Sequence, residues 1–203
     1  MPNDSSTGGI LAPMPDPSPV PTEDNELEDF FTALFAEICG LDEDTDVRPI
    51  WQPEPPKIPE PDVDWLALSV TTVPAGFRPD TEQLEDRSVQ TNWETVEVRL
   101  QAYGPHAQAL TTRLREGLYV EQNRAGMYSA GIGLIRFGNP LHVPDKRNER
   151  WYNRWNSSVT FSREVRREYP VLPLRVAVAE VVEGSDGENV VAREVTAGTV
   201  AEP

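Results

Sequence analysis

Between Arg150 and Tyr169 the chain reads RWYNRWNSSVTFSREVRREY, and its side chains sort by parity. The odd positions carry Trp151, Trp155, Val159, Phe161, Val165 and Tyr169, interrupted by Asn153, Ser157, Arg163 and Arg167. The even positions are almost wholly polar, from Tyr152 and Arg154 through Ser158 and Thr160 to Glu164, Arg166 and Glu168. A period of two with one apolar face is the signature of a half-buried strand. At roughly 3.3 Å per residue this strand spans on the order of 60 Å, whereas strands usually run about 3–10 residues. A domain of this size cannot bury so long a straight strand. Either it bends, at Asn153 or Ser157, or one end leaves the body and packs on another subunit.

The rest of the chain supplies what such a strand packs against. Asn25 to Cys39 predicts a helix, because Leu27, Phe30, Phe31, Leu34, Phe35 and Ile38 recur at three and four spacing. Asn25 with Glu28 gives a loosened capping box, and Gly40 stands where a helix ends. A short strand is expected within Val47 to Gln52. The Pro-rich run from Pro53 to Pro61 is extended and unsuited to a central ladder. Asp64 to Val73 is apolar on both faces and predicts a central strand. Phe77 to Asn92 reads as a polar loop, and Trp93 to Tyr103 as a strand with Val96, Val98, Leu100 and Ala102 on one side. Gly104-Pro105 opens a second helix with the stripe Ala107, Leu110, Leu114 and Leu118. Glu121 to Ala130 reads as a loop or short turn, Gly131 to Phe137 as a short strand, and Gly138 to Asn148 as a turn-rich connection. Leu172 to Val182 follows the long strand as a last strand. Runs of strands with two helices predict an α+β fold, a mixed or antiparallel sheet packed by two helices. The domain spans 25–183, between a disordered Pro-rich acidic arm over 1–24 and a flexible tail over 184–203.

Charge divides along the same boundaries. Residues 1–62 hold 15 acids and 2 bases, whereas residues 63–183 hold 15 of each. The acidity belongs to the N-terminal third and argues against nucleic-acid affinity of the whole chain. The single cysteine, Cys39, excludes an intramolecular disulfide and points to a reducing compartment. No signal peptide and no membrane span are expected.

Catalytic signatures are missing from the sequence. There is no P-loop, dinucleotide fingerprint or nucleophile elbow. His106 stands at a helix start. His142 and Asp145 would need a third metal ligand at motif spacing. The run Asp42, Glu43, Asp44, Asp46 lacks the glycine and distal glutamate of an EF-hand. Cys39 reads as a buried structural thiol. Neither catalysis nor a cofactor is expected. A single-strand nucleic-acid module is the rival from another class. Residues 136–175 hold nine Arg or Lys and four acids, with Trp151, Tyr152 and Trp155 among them.

The ordered wording resembles the phage neck-terminator, or tail-terminator, family. The resemblance runs from about Leu27 to Val182. It is carried by Ile38-Cys39-Gly40-Leu41, Arg48-Pro49 with Trp51 and Gln52, and Asp64-Trp65. Glu97-Val98-Arg99 leading to Tyr103-Gly104, and Arg150-Trp151-Tyr152-Asn153-Arg154-Trp155, complete the set. It implies a structural virion protein of the tail and neck, assembled in the host cytoplasm. It implies a homo-hexameric ring on the head-proximal end of the tail tube, with the tail-tube protein and a head-tail connector or adaptor protein as partners. Viral DNA is passing cargo and no membrane is involved. A head-tail connector or stopper is the alternative within the virion. The mixed charges on the long strand suit a polar inter-subunit face. Arg150, Trp151, Arg154, Arg163, Glu164, Arg166 and Glu168 are the expected contact residues.

Overall fold

A computed structural model describes residues 10–15, 21, 25–54, 56–76, 78–147 and 149–171. Its frame is an antiparallel pair. Strand β4 (Ser88–Tyr103) runs beside strand β9 (Arg154–Tyr169) over their whole length, from Ser88 opposite Tyr169 to Tyr103 opposite Arg154. Strand β2 (Trp65–Pro74) pairs antiparallel with β4, and the short β1 (Val47–Pro49) adds parallel to β2. Strand β5 (Ile132–Phe137) lies on the other side of β9, giving the order β1-β2-β4-β9-β5. Strand β3 (Asp80–Gln83) pairs with β4, and β6 (Leu141–His142) with β9. Strands β7 (Asp145–Arg147) and β8 (Arg150–Tyr152) form a separate hairpin. The sheet is open and mixed, as the α+β expectation required.

Two helices cover one face of it. Helix α1 (Asn25–Cys39) has the expected bounds, and its stripe buries Leu27, Phe31 and Phe35. Its end is a Schellman motif. Gly40 sits at φ 68°, the Leu41 amide donates to the Ala36 carbonyl at 2.9 Å and the Gly40 amide to Glu37 at 3.3 Å. Helix α2 (Ala107–Gly117) buries Ala107, Leu110 and Leu114, with Leu118 buried just beyond it. These stripes meet Val96, Val98 and Leu100 of β4 and Val159 and Phe161 of β9 in one apolar cluster. The turn from β4 into α2 needs Gly104. At φ 107°, a Cβ there would fall 2.6 Å from the Val63 carbonyl oxygen.

The structure corrects three expectations. A third helix, α3 (Glu121–Ser129), replaces the expected loop. Its one buried residue is Met127, so it carries almost no apolar period to read. The polar segment 77–92 contains β3 and the start of β4, because β9 supplies Ser88 to Asn92 with partners from Val165 to Tyr169. The long stretch breaks at Asn153, one of the two expected points. The Asn153 carbonyl accepts from the Gly104 amide at 3.2 Å, and its side-chain amide donates to the Gly104 carbonyl at 2.8 Å. Parity inverts across that break: Tyr152 is buried and Trp151 exposed, the reverse of their expected faces. The expected strand at 172–182 and the tail at 184–203 lie outside the described residues, as does most of the 1–24 arm.

Candidate functional site

The seven expected contact residues fall in three separate places. Arg150, Trp151 and Arg154 gather where the β7–β8 hairpin meets the sheet. Arg150 is exposed and ion-pairs with Glu60 of the Pro-rich run. Trp151 is 65% exposed. Arg154 is occupied within its own chain. Its Nε donates to the Val143 carbonyl at 3.2 Å and its Nη1 to Asp145 Oδ2 at 3.3 Å. The same carboxylate accepts from Arg147 Nε at 2.7 Å, and Arg147 Nη2 donates to the Tyr103 hydroxyl at 3.2 Å. Tyr103 stacks on Trp65 with ring centroids 4.2 Å apart, and Tyr152 is buried in the same small cluster. Arg154 is thereby one link of a chain that pins the hairpin to the sheet.

Arg163 is 1% exposed. It lies directly opposite Glu94 on β4, and its Nη2 stands 3.3 Å from Glu94 Oε2. Its Nη1 donates to the Pro21 carbonyl at 3.1 Å. Arg163 was expected among the contact residues, and within the single chain its guanidinium is held in a buried ion pair. Arg163 shares odd parity with Val159, Phe161 and Val165, so the strand's own period turns it inward. The matching signal lay in Glu94, the acid in register with the apolar series Val96, Val98 and Leu100.

Glu164, Arg166 and Glu168 stand at the far end of β9. Glu168 pairs with Arg87 at 3.0 Å and with Arg166 at 3.7 Å. About 40 Å of extended strand separates Arg166 from Arg154. The set therefore makes no single patch. Sequence reasoning missed the apolar companions at each end. Trp93, opposite Glu164, is 50% exposed, and Val73 of β2 is exposed near it. Leu141 of β6 is exposed near the Trp151 end. Trp93 has odd parity on β4, against the buried even series, and that signal was legible.

The three aromatic residues of the nucleic-acid reading do not share a face. Trp151 is open, Tyr152 is buried, and Trp155 packs on the core with its ring 5.0 Å from that of His142. His142 Nε2 lies 3.0 Å from Asn153 Oδ1, while Asp145 is taken by two arginines. Asp42 holds its own turn, its Oδ1 accepting from the Asp44 and Thr45 amides. The Asp64 carboxylate accepts from the His106 amide at 2.9 Å and meets the His106 ring at 2.7 Å. Among the described residues no three His, Cys, Asp or Glu side chains gather as a metal site, and no helix is long and apolar enough to cross a membrane.

Cys39 is buried between α1 and α2, and burial pushes its thiol up to about 12. The folded value lies above the unfolded one, so the protonated thiol is favoured by folding. That contribution is complete below pH 9 and is lost as pH rises toward 12. A maleimide at pH 8 is expected to leave the native chain unlabelled and to label it fully in urea, read by intact mass. Rapid native labelling would show that α1 and α2 part readily.

A family model described as phage neck terminator protein matches residues 25–190. The chain belongs to the phage neck terminator family. The match takes in both helices on the sheet, the β4–β9 pair and the β7–β8 hairpin. Membership places this terminator in the tail and neck of a phage virion, in contact with other head and tail proteins. The match begins at the first residue of α1, so the N-terminal arm lies outside it. No curated protein matches the chain.

Proposed function

We propose that this chain closes a homo-hexameric ring at the head-proximal end of the tail tube. The ring ends tube polymerisation, joins the tail to the head-side connector and lets viral DNA pass through its lumen. The role is structural, with no catalysis and no cofactor. Family membership across the whole described domain carries this reading.

The geometry supports it in two ways. A cyclic ring larger than a dimer needs two different patches on each subunit, since its contacts run head to tail. The chain exposes large apolar side chains toward both ends of its longest strands: Trp151 and Leu141 toward one, Trp93 and Val73 toward the other. Each end also carries charges of both signs, Arg150 with Glu60 and Arg166 with Glu168. The sheet face turned away from α1 and α2 carries Thr71, Glu97, Arg99, Ser158 and Thr160. Glu97 and Arg99 lie 3.6 Å apart, and Arg136 opposite Thr160 and Glu164 opposite Trp93 share that face, so it carries charge of both signs. Phosphate capture needs unbalanced cations, so such a face toward a lumen would let DNA slide.

The test is negative-stain imaging of the chain alone and with tail-tube protein. Six-fold rings on one end of the tubes, and tubes of limited length, are the expected outcome. Trp93→Ser and Trp151→Ser should each abolish rings while the far-ultraviolet circular dichroism stays native. Binding to a head connector with no affinity for tubes would overturn the terminator role in favour of a stopper. Salt-sensitive oligonucleotide binding would favour the nucleic-acid module.

A further inference from the structure

Strand β9 has an outer edge that the sheet does not cover. Its pairing with β5 ends at Arg163, while its pairing with β4 continues to Tyr169. Backbone groups on a strand alternate between the two sides. The bonds made away from β4 show which residues face outward. The carbonyls of Arg154 and Ser158 accept from Val143 and Gly138, and the Glu164 amide donates to Gly131. Even-numbered residues therefore turn their backbone groups to this edge, and beyond Glu164 those are Arg166 and Glu168. An uncovered strand edge is a template for pairing with another chain.

Two described residues of the N-terminal arm, Met14 and Pro21, bond to this strand. The Met14 amide donates to the Glu168 carbonyl at 2.7 Å, and the Pro21 carbonyl accepts from the buried Arg163. The arm's sequence suits one-sided pairing. Pro13 and Pro15 flank Met14, and the alternation runs on through Pro17 and Pro19 to Pro21. An extended segment with proline at every odd position keeps its amide donors on the even side alone. Placed with Met14 toward β9, it offers no amide at Pro13 or Pro15 on its outer side.

The charges on the edge also favour this occupant. A second β9 laid antiparallel about Arg166 would set Arg166 against Arg166 and Glu164 against Glu168. Like charges directly opposite each other are destabilising. Residues 10–15, Ile-Leu-Ala-Pro-Met-Pro, carry no charge.

We propose that residues 10–15 are a one-sided capping strand and that the β9 edge from Glu164 to Glu168 is their docking surface. The arm thereby closes the sheet of its own chain against addition of further strands. This goes beyond the ring reading and does not rest on it, since the arm lies outside the family match.

Two measurements on the full-length chain, made without any tube protein, test it. The first is hydrogen exchange at the Met14 amide. Its exchange should be at least about fivefold slower than in a free peptide of residues 10–21, the change expected for one backbone hydrogen bond. Equal rates would overturn the docking. The second is the mass in solution of the Pro13→Ala/Pro15→Ala variant. Restoring outward amides should make its mass rise with concentration beyond that of the native chain. A variant as monodisperse as the native chain would overturn the capping role. Neither result depends on rings or tubes, so failure of the ring reading and failure of this one are separable.

Discussion

Replacing Arg163 with Met is expected to lower the unfolding free energy by about 3–5 kcal/mol, because it leaves the Glu94 carboxylate buried without its cation. The two side chains face each other across the β4–β9 ladder, both on the helix-covered side of the sheet. Water that would solvate a lone carboxylate is excluded there. Replacing both, Arg163→Met with Glu94→Leu, should recover most of the loss, since an apolar pair of similar volume is often at least as stable as a buried ion pair. Urea unfolding of the single and double variants measures both effects. An Arg163→Met chain with an unchanged urea midpoint would mean that the buried pair adds no net stability. A double variant no better than the single would remove the pairing argument.

Phe161→Ala should cost a similar amount, about 3–5 kcal/mol, from lost burial and the cavity left behind. Phe161 is fully buried on β9, and its ring centroid lies 4.7 Å from that of Phe31 on α1. Phe31 in turn contacts Phe30 at 5.3 Å and Phe35 at 5.7 Å. The expected consequence is local as well as global. Helix α1 should lose its hold on the sheet, and the Cys39 thiol should become reactive well below the unfolding midpoint. Maleimide labelling across a urea series reads that directly. If labelling and unfolding stay coincident, α1 is held chiefly by α2 and not by β9.

These two variants also separate stability from assembly. Arg163 stood with the expected contact residues, and its ion pair with Glu94 makes it a stability variant first. Trp93 and Trp151 are the reverse case. Both are exposed, so their loss costs the protomer little and the proposed ring much. Charge reversal at Arg154 would confound the two, since Arg154 pins the β7–β8 hairpin through Asp145. Arg150 and Arg166 are the cleaner charges to vary, because their ion pairs are surface pairs of small energy.

Sequence alone determined every element whose own period is strong. The stripe from Leu27 to Ile38 defined α1 to the residue, and the stripe from Ala107 to Leu118 defined α2 apart from its first turn. The alternation after Arg154 defined β9, and the series Val96 to Ala102 the inner half of β4. Each of these segments buries a face that its local geometry already separates, so periodicity and burial carry the same information. The family was legible for a related reason, because ordered wording survives without any knowledge of contacts. Tertiary structure decided what periodicity does not encode. The outer half of β4 is a strand because β9 pairs with it. α3 is helical although Met127 is its one buried anchor. The face of Trp151 and Tyr152 was settled by Asn153, which bonds to Gly104 at a distance in sequence that no local pattern reports. Parity turns Arg163 inward, and Glu94 across the ladder is the partner that lets its charge stay there, which no local pattern reports.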